Sequence, residues 1–439
     1  MKKLALLAVL IAAYLGLTYY AGVVGEGYIR EQVRLSQDRS ATSGVTLELI
    51  DYQRGFFASQ FQLQVNLDPD QAAFEPLVLT STTRMRHGPV ILADGLHFGW
   101  FYARSENSLS SVDAQQQAAL QELLPEGLGR MTLLGGYTGS YDYEWKTPDI
   151  DVSRDGNRLQ VAGVEMSGSG HFDSLDSQHY FATGVLELTL SDGSEARLMP
   201  ISGEAKVQFA GGDIPLSSIA MSTEQVEFRG ASSAPVQVHQ LQYAQAQTLM
   251  DGKVDTQVSF KVAQVDGLLS VSNIYYDINL AQTRLEAIRA WGELSAKLQL
   301  AEETASLEPE LKQAIQLLLH EDARLDIAMG ADMLDGYVKT DIRVDYAPPA
   351  QAVDMSSLPL ADYLGLIEGT MEMRIADKVM TGTPLMFFLA DYIDTYIVQE
   401  GSEYILRARL SGGELFVADT PVPLAMLFPY WFAEPESFQ

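Results

Sequence analysis

From Val45 onward the chain alternates apolar and polar residues. Phe61, Leu63 and Val65 are interleaved with Gln60, Gln62 and Gln64, and Val45, Leu47 and Leu49 with Thr46 and Glu48. The same alternation returns in Tyr141, Tyr143 and Trp145, in Ala205, Val207 and Phe209, in Val254, Val258, Phe260 and Val262, and in Ile274, Tyr276, Ile278 and Leu280. It closes the chain in Val338, Ile342, Val344 and Tyr346 and in Tyr404, Leu406, Ala408 and Leu410. A strand sends successive side chains to opposite faces, so a period of two predicts sheets with one dry face and one wet face. Asp155-Gly156, Asp192-Gly193, Gly211-Gly212-Asp213, Asp251-Gly252 and Ser411-Gly412-Gly413 fall between the runs and predict hairpin turns. The expected class is α+β and β-dominated: long antiparallel sheets, curved or elongated, with a few covering helices.

Helical periodicity is confined to short insertions. Asp113 to Leu124 is stopped by Pro125; Leu285, Ile288, Leu294 and Leu298 form one apolar stripe, and Leu311, Ala314, Ile315 and Leu318 another. A wider stripe follows Thr383-Pro384, through Leu385, Phe388, Leu389, Tyr392, Ile393, Tyr396 and Ile397, and reads as a helix covering a sheet face. The segment 281–320 then divides the body, 44–439, into two lobes, 44–280 and 321–439. No strict internal repeat is present.

The N-terminus breaks the pattern. Lys2 and Lys3 precede 21 uncharged residues, Leu4 to Val24, with Leu4, Leu10, Leu17 and Val24 along its length. As a helix the run reaches roughly 30 Å, the thickness of a bilayer's hydrocarbon core. A cleaved signal peptide has a shorter apolar core and a small-residue cleavage site, which Val23-Val24-Gly25 matches poorly. Residues 1–25 therefore read as a transmembrane signal anchor and 26–43 as a linker, within which Glu26 to Gln37 can extend as a short polar helix. The paired lysines hold the N-terminus in the cytoplasm and send the body outward, into the periplasm of a two-membrane bacterium. The expected location is the inner membrane, single-pass.

Charge narrows the partners. With 58 acidic residues against 29 basic, the net charge is −29. Such a surface repels phosphate backbones, so nucleic acid is not an expected partner. There is no cysteine, hence neither a disulfide nor a thiol nucleophile.

Reactive motifs are sparse. His171, Asp173 and His179 are the densest grouping of metal-ligating types, but without H-E-x-x-H or a cysteine set the segment reads as a polar loop between strands, and neither a metal nor a cofactor is expected. Asp149, Asp151 and Asp155 lack the register of a calcium loop and read as a hairpin. Ser167 and Ser169 lack the Gly-x-Ser-x-Gly frame, and no phosphate-binding glycine loop occurs. His87-Gly88-Pro89 reads as a turn at a strand end, with a catalytic histidine as the alternative.

Asp51-Tyr52-x-x-Gly55-x-Phe57-x-Ser59 after the apolar run, then His87-Gly88-Pro89, then Tyr404-x-Leu406 leading to Gly413-x-Leu415-x-Val417, together resemble the YdgA-like family of bacterial envelope proteins, a domain of unknown function. The resemblance implies an envelope location and a β-rich fold, and brings no catalytic residue. Where that family closes its last hairpin with Asn-Gly-x-Pro, this chain has Ala418-Asp419-Thr420-Pro421. Two classes of function follow. The first is a non-catalytic, membrane-tethered protein acting as a scaffold or holding a lipid, another apolar ligand or an envelope partner. The alternative is a periplasmic hydrolase using dispersed carboxylates or His87. The aromatic cluster Phe428-Pro429-Tyr430-Trp431-Phe432 is a further candidate contact surface.

Overall fold

Alternation becomes sheet throughout the computed structural model, which describes residues 2–40, 45–67, 77–111, 113–174, 176–210, 214–300, 308–320, 322–348, 358 and 360–422, with side chains of the first helix described over 11–35 and at 37. Two compact units follow one another, Met1–Pro215 and Leu216–Gln439. The linker residues 41–43, the turn Gly211-Gly212-Asp213 and the cluster Phe428 to Phe432 lie outside the described residues.

The first unit begins with helix α1 (Lys2–Ser40) and continues in β1 (Val45–Arg54), β2 (Ala58–Leu67), β3 (Leu77–His87), a small hairpin β4 (Val90–Leu92) and β5 (Leu96–Phe98), and β6 (Phe101–Ser111). Helix α2 (Ala114–Leu123) is capped by Asp113, whose carboxylate accepts the Gln116 amide at 2.7 Å, and it ends before Pro125. There follow β7 (Gly129–Gly135), β8 (Ser140–Lys146), β9 (Ile150–Arg154), β10 (Asn157–Val161), β11 (Val164–His171), β12 (Ser177–Thr183), β13 (Leu186–Thr189), β14 (Glu195–Leu198) and β15 (Ile201–Ala210). The antiparallel order is β1-β2-β3-β6-β7-β8-β11-β12-β15, with β9-β10-β13-β14 a second run. Asp155 and Gly156 turn β9 into β10 with φ of 51° and 80°, the left-handed pair of a tight hairpin. Asp151 meets Arg158 across that hairpin at 2.7 Å.

Strand β16 (Ile214–Arg229) leads into the second unit, which continues with β17 (Val236–Met250), β18 (Lys253–Asp266) and β19 (Val271–Arg284). Helices α3 (Leu285–Leu300) and α4 (Glu308–Leu318) come next, then β20 (Arg324–Met333), β21 (Gly336–Tyr346) and β22 (Ile367–Ala376). The chain ends in α5 (Asp377–Gly382), α6 (Leu385–Leu389), β23 (Ile397–Glu400), β24 (Glu403–Ser411), β25 (Glu414–Val417) and β26 (Thr420–Val422). From β17 to β22 each strand pairs antiparallel with the next; β24 joins β22 and carries β23 and the meander β25-β26.

Two expectations change, and a third is extended. The helix that could continue through Glu26 to Gln37 is one piece with the N-terminal run, α1 reaching Ser40, and Ile29 and Val33 carry its buried face past residue 25. Among the described residues, which leave out the side chains of Leu4 and Leu10, no helix is long and apolar enough to cross a membrane. The segment 281–320 does not separate two lobes: β19 and β20 pair directly, from Val271↔Met333 to Ala281↔Arg324, so α3 and α4 are an insertion between neighbours. Nor is 385–397 one helix. Asp394 adopts φ 65°, a conformation that ends a helix, and Ile397 enters the sheet opposite Leu406, so only Leu385–Leu389 is α-helical. Leu385, Leu389 and Ile393 still pack on the core, while Phe387 and Phe388 face outward.

Candidate functional site

Of the motif residues, Ser59, His87 and Gly88 come together under α1 with Tyr52 beside them, while Asp51, Gly55 and Phe57 are exposed. Asp51 takes φ 49° at a bulge where the β1–β2 register shifts between Ile50 and Gln53, a conformation Asp tolerates better than most side chains. Tyr52 stacks on Phe61 at 5.3 Å, with the Arg30 guanidinium above it at 5.4 Å. Burial pushes the Tyr52 phenol above its usual range. Gly55 makes the turn into β2, where its amide donates to Ala58 at 2.8 Å and a Cβ would meet that carbonyl at 2.7 Å. The Phe57 carbonyl accepts the His87 amide at 2.9 Å. Gly88 donates to Trp100 at 3.1 Å from φ 136°, and the Pro89 carbonyl accepts the Tyr137 hydroxyl.

Pairing of β2 with β3 sets Ser59 opposite Met85 and brings Ser59 Oγ to 2.9 Å from His87 Nε2. Both residues are buried. A Cβ at Gly22 would lie 2.7 Å from His87 Nδ1, and one at Gly25 3.1 to 3.3 Å from Met85 and Phe101. Thr18, Ala21, Gly22, Gly25, Ile29 and Val33 thus form one helix face. Its small residues let the backbone approach the histidine, and its larger ones complete the core of Phe61, Met85, Phe101, Ala103 and Phe172. Glu26 fastens the joint, meeting Arg30 at 2.9 Å and Arg54 at 3.1 Å. This stripe was missed in the sequence, although small residues three or four apart on a helix are its signal.

A serine–histidine pair suggests nucleophilic catalysis, but this one lacks two requirements. Among the described residues His87 Nδ1 has no hydrogen-bond partner and no carboxylate orients the ring, and α1 buries the pair. Desolvation holds the His87 imidazole below the ordinary histidine range; the Phe56 carbonyl opposes this and the Arg54 cation adds to it. The pair is a buried strut.

The metal-type residues are not brought together. His179 Nδ1 is 2.8 Å from the Tyr143 hydroxyl and Nε2 2.8 Å from Ser177, so both ring nitrogens are engaged. In the β11–β12 register His179 faces Gly168 while His171 lies three residues along, about 10 Å away at strand spacing. Asp173 sits in the intervening turn beside Gly139. Among the described residues no group of three or more His, Asp or Glu is placed to hold a metal.

Burial also holds His179 and His320 below the ordinary range. The unfolded chain then binds protons first as pH falls, so the stability these three histidines contribute is complete above about pH 6.5 and lost progressively below it. Thermal midpoints should fall between pH 7 and 5, before carboxylates titrate, and His87→Gln should flatten that slope; a flat profile in the wild type would contradict the burial.

In the second unit, strand register lays apolar residues in rungs. Val258, Ile278, Ile327, Ile342, Met371, Ala408 and Val417 are successive cross-strand partners from β18 to β25. At about 4.8 Å per strand the rung is roughly 29 Å long. Leu280, Leu325, Val344, Gly369, Leu410 and Leu415 make the next on the same face. These residues are only half-buried. At one end of the strands α3 and α4 lie against β19, where Val254 and Thr283 are buried; at the other, α5 and α6 cover Ile375 and Tyr404. The middle rungs are the floor of a trough between two helical caps.

This floor opens into a groove of about 740 Å³, lined by Ile327, Ile342, Met371 and Ala408 of the first rung together with Asp326, Arg343, Glu372, Arg407 and Arg409. Two of its cations are paired, Arg343 with Asp345 at 2.7 Å and Arg407 with Glu372 at 2.9 Å and Glu400 at 2.7 Å, while Arg409 lies over the Phe416 ring at 4.8 Å. No histidine lines the groove.

None of the curated proteins and none of the solved structures matches the chain. A family model does, over residues 1–383, which contain the motif around Tyr52, Ser59 and His87 but not the C-terminal hairpins. The chain belongs to the family described as a bacterial protein of unknown function (DUF945).

Proposed function

We propose that this is a non-catalytic envelope protein, anchored in the bacterial inner membrane by the start of α1, whose periplasmic body shelters the acyl chain of a lipid in the trough of its second unit. The observation that carries this reading is the pair of adjacent apolar rungs left half-buried between helical caps. A sheet with a solvated face normally offers polar residues there, and an apolar strip this long, uncovered among the described residues, suits an extended hydrocarbon. The anchor is supported by the uncharged run Leu4 to Val24, which places the body beside a lipid source. A hydrolase centred on His87 is disfavoured, since the imidazole is buried under α1 and among the described residues no carboxylate is hydrogen-bonded to it.

Native mass spectrometry of the protein extracted from its membrane in mild detergent tests the reading. The wild type should carry lipid, and Ile342→Arg, which sets a cation in the middle of the floor, should lower the bound fraction at least about tenfold. A lipid-free wild type, or an Ile342→Arg protein with undiminished lipid, contradicts the proposal.

A further inference from the structure

The small hairpin β4–β5 has its amphipathicity reversed. Val90 pairs with Phe98 and Leu92 with Leu96, and all four side chains point outward, with Leu92 71% and Phe98 61% exposed. Its inward positions are Ile91, which is buried, and His97, which stacks on Tyr102 at 4.4 Å. The one acid in the turn, Asp94, reaches back to Arg104 and the Tyr102 hydroxyl, each at 3.3 Å. A hairpin packed on a body in water would show the opposite pattern.

This apolar face stands beside the uncharged part of α1. The Tyr14 hydroxyl donates to the Val90 carbonyl at 3.2 Å, Tyr19 lies 6.0 Å from Phe56, and Tyr20 lies 5.6 Å from Trp100. Phe56 and Phe57, at the β1–β2 turn, are exposed, as are Leu17, Tyr19, Tyr20 and Val23 on the helix itself. Charged residues border this patch. Glu26 is the first charged residue of α1 after Lys3; Arg54 lies over the Tyr19 ring at 5.6 Å, Arg86 donates to the Leu92 carbonyl at 2.7 Å, and Asp94 in the hairpin turn pairs with Arg104. Exposed apolar side chains bordered by tyrosine, tryptophan and arginine are the composition of a membrane-interface surface, and the arginines suit anionic headgroups although the protein as a whole is acidic.

We infer that the first unit is not held off the membrane by α1 but sits in it: the β4–β5 hairpin and the Phe56-Phe57 turn form a collar around the helix that enters the outer leaflet of the bilayer. The inference rests on α1 being a membrane anchor. Its consequence is geometric, since helix residues from Leu17 to Val23, about 9 Å of helix, then share their depth with the collar.

The absence of cysteine makes the test direct. Full-length Leu92→Cys, Phe98→Cys and, as an exposed control on β9, Ser153→Cys carry an environment-sensitive fluorophore in phosphatidylethanolamine–phosphatidylglycerol vesicles, and lipids brominated in the upper acyl chain act as quencher. For interfacial insertion to roughly 5–10 Å, the probes at 92 and 98 should lose about half their emission while the probe at 153 is unaffected. Protein that floats with the vesicles but is unquenched at 92 and 98 overturns the collar and leaves the anchor standing. Protein that does not float overturns the anchor and the collar together. Unquenched probes combined with cysteine cross-links between copies at Leu92 assign the patch to a second copy of this chain, which also refutes lipid insertion.

Discussion

Gly22→Val should destabilise the first unit by about 1–3 kcal/mol, the usual penalty of overpacking a filled site, and should release α1 from the sheet. The expected clash is local. A Cβ at this position meets His87 Nδ1 at 2.7 Å and Cε1 at 3.0 Å, and the imidazole cannot swing away without abandoning Ser59. Gly27→Ala on the same helix is the matched comparison. Nothing lies within 4 Å of a Cβ there, so the substitution should stabilise by roughly 0.5–1 kcal/mol through helix propensity alone. Opposite signs in the thermal midpoints of these two variants would establish that α1 is docked; two stabilised proteins would show that it is not.

Phe101→Ala is expected to have the largest effect, a loss of about 3–5 kcal/mol. The ring is fully buried, lies 6.0 Å from Phe172, and fills the space where a Cβ on Gly135 would meet it at 2.4 Å. It also lies under Gly25 of α1, so truncation opens a cavity shared by helix and sheet. Denaturant unfolding monitored by tryptophan fluorescence reads the change through Trp100, which packs against Tyr20 and Tyr137.

What the sequence disclosed was local. The alternation of β2, β15, β18, β21 and β24 and the Asp113 cap of α2 follow from residue type at fixed spacing, and the structure places strands and helix there. Contacts that depend on register were not legible. Ser59 and His87 are 28 residues apart, and only the pairing of β2 with β3 makes them neighbours. The apolar rungs are likewise a property of seven strands in register; each strand alone shows only that one face is dry. The helix read over 385–397 failed for another reason: an apolar stripe at helical spacing does not say that Ile397 will be taken by β24, and strand pairing won.

The central claim is that the geometry around Tyr52, Ser59 and His87 is a joint for α1. Hydrogen exchange at the amides of residues 28–34 tests it most directly, since this part of the helix lies beyond the uncharged run and only docking on the sheet can protect it. The account predicts protection in the wild type approaching that of β3 and its loss in Gly22→Val. Exchange in the wild type as fast as in an isolated helix of the same sequence would contradict it.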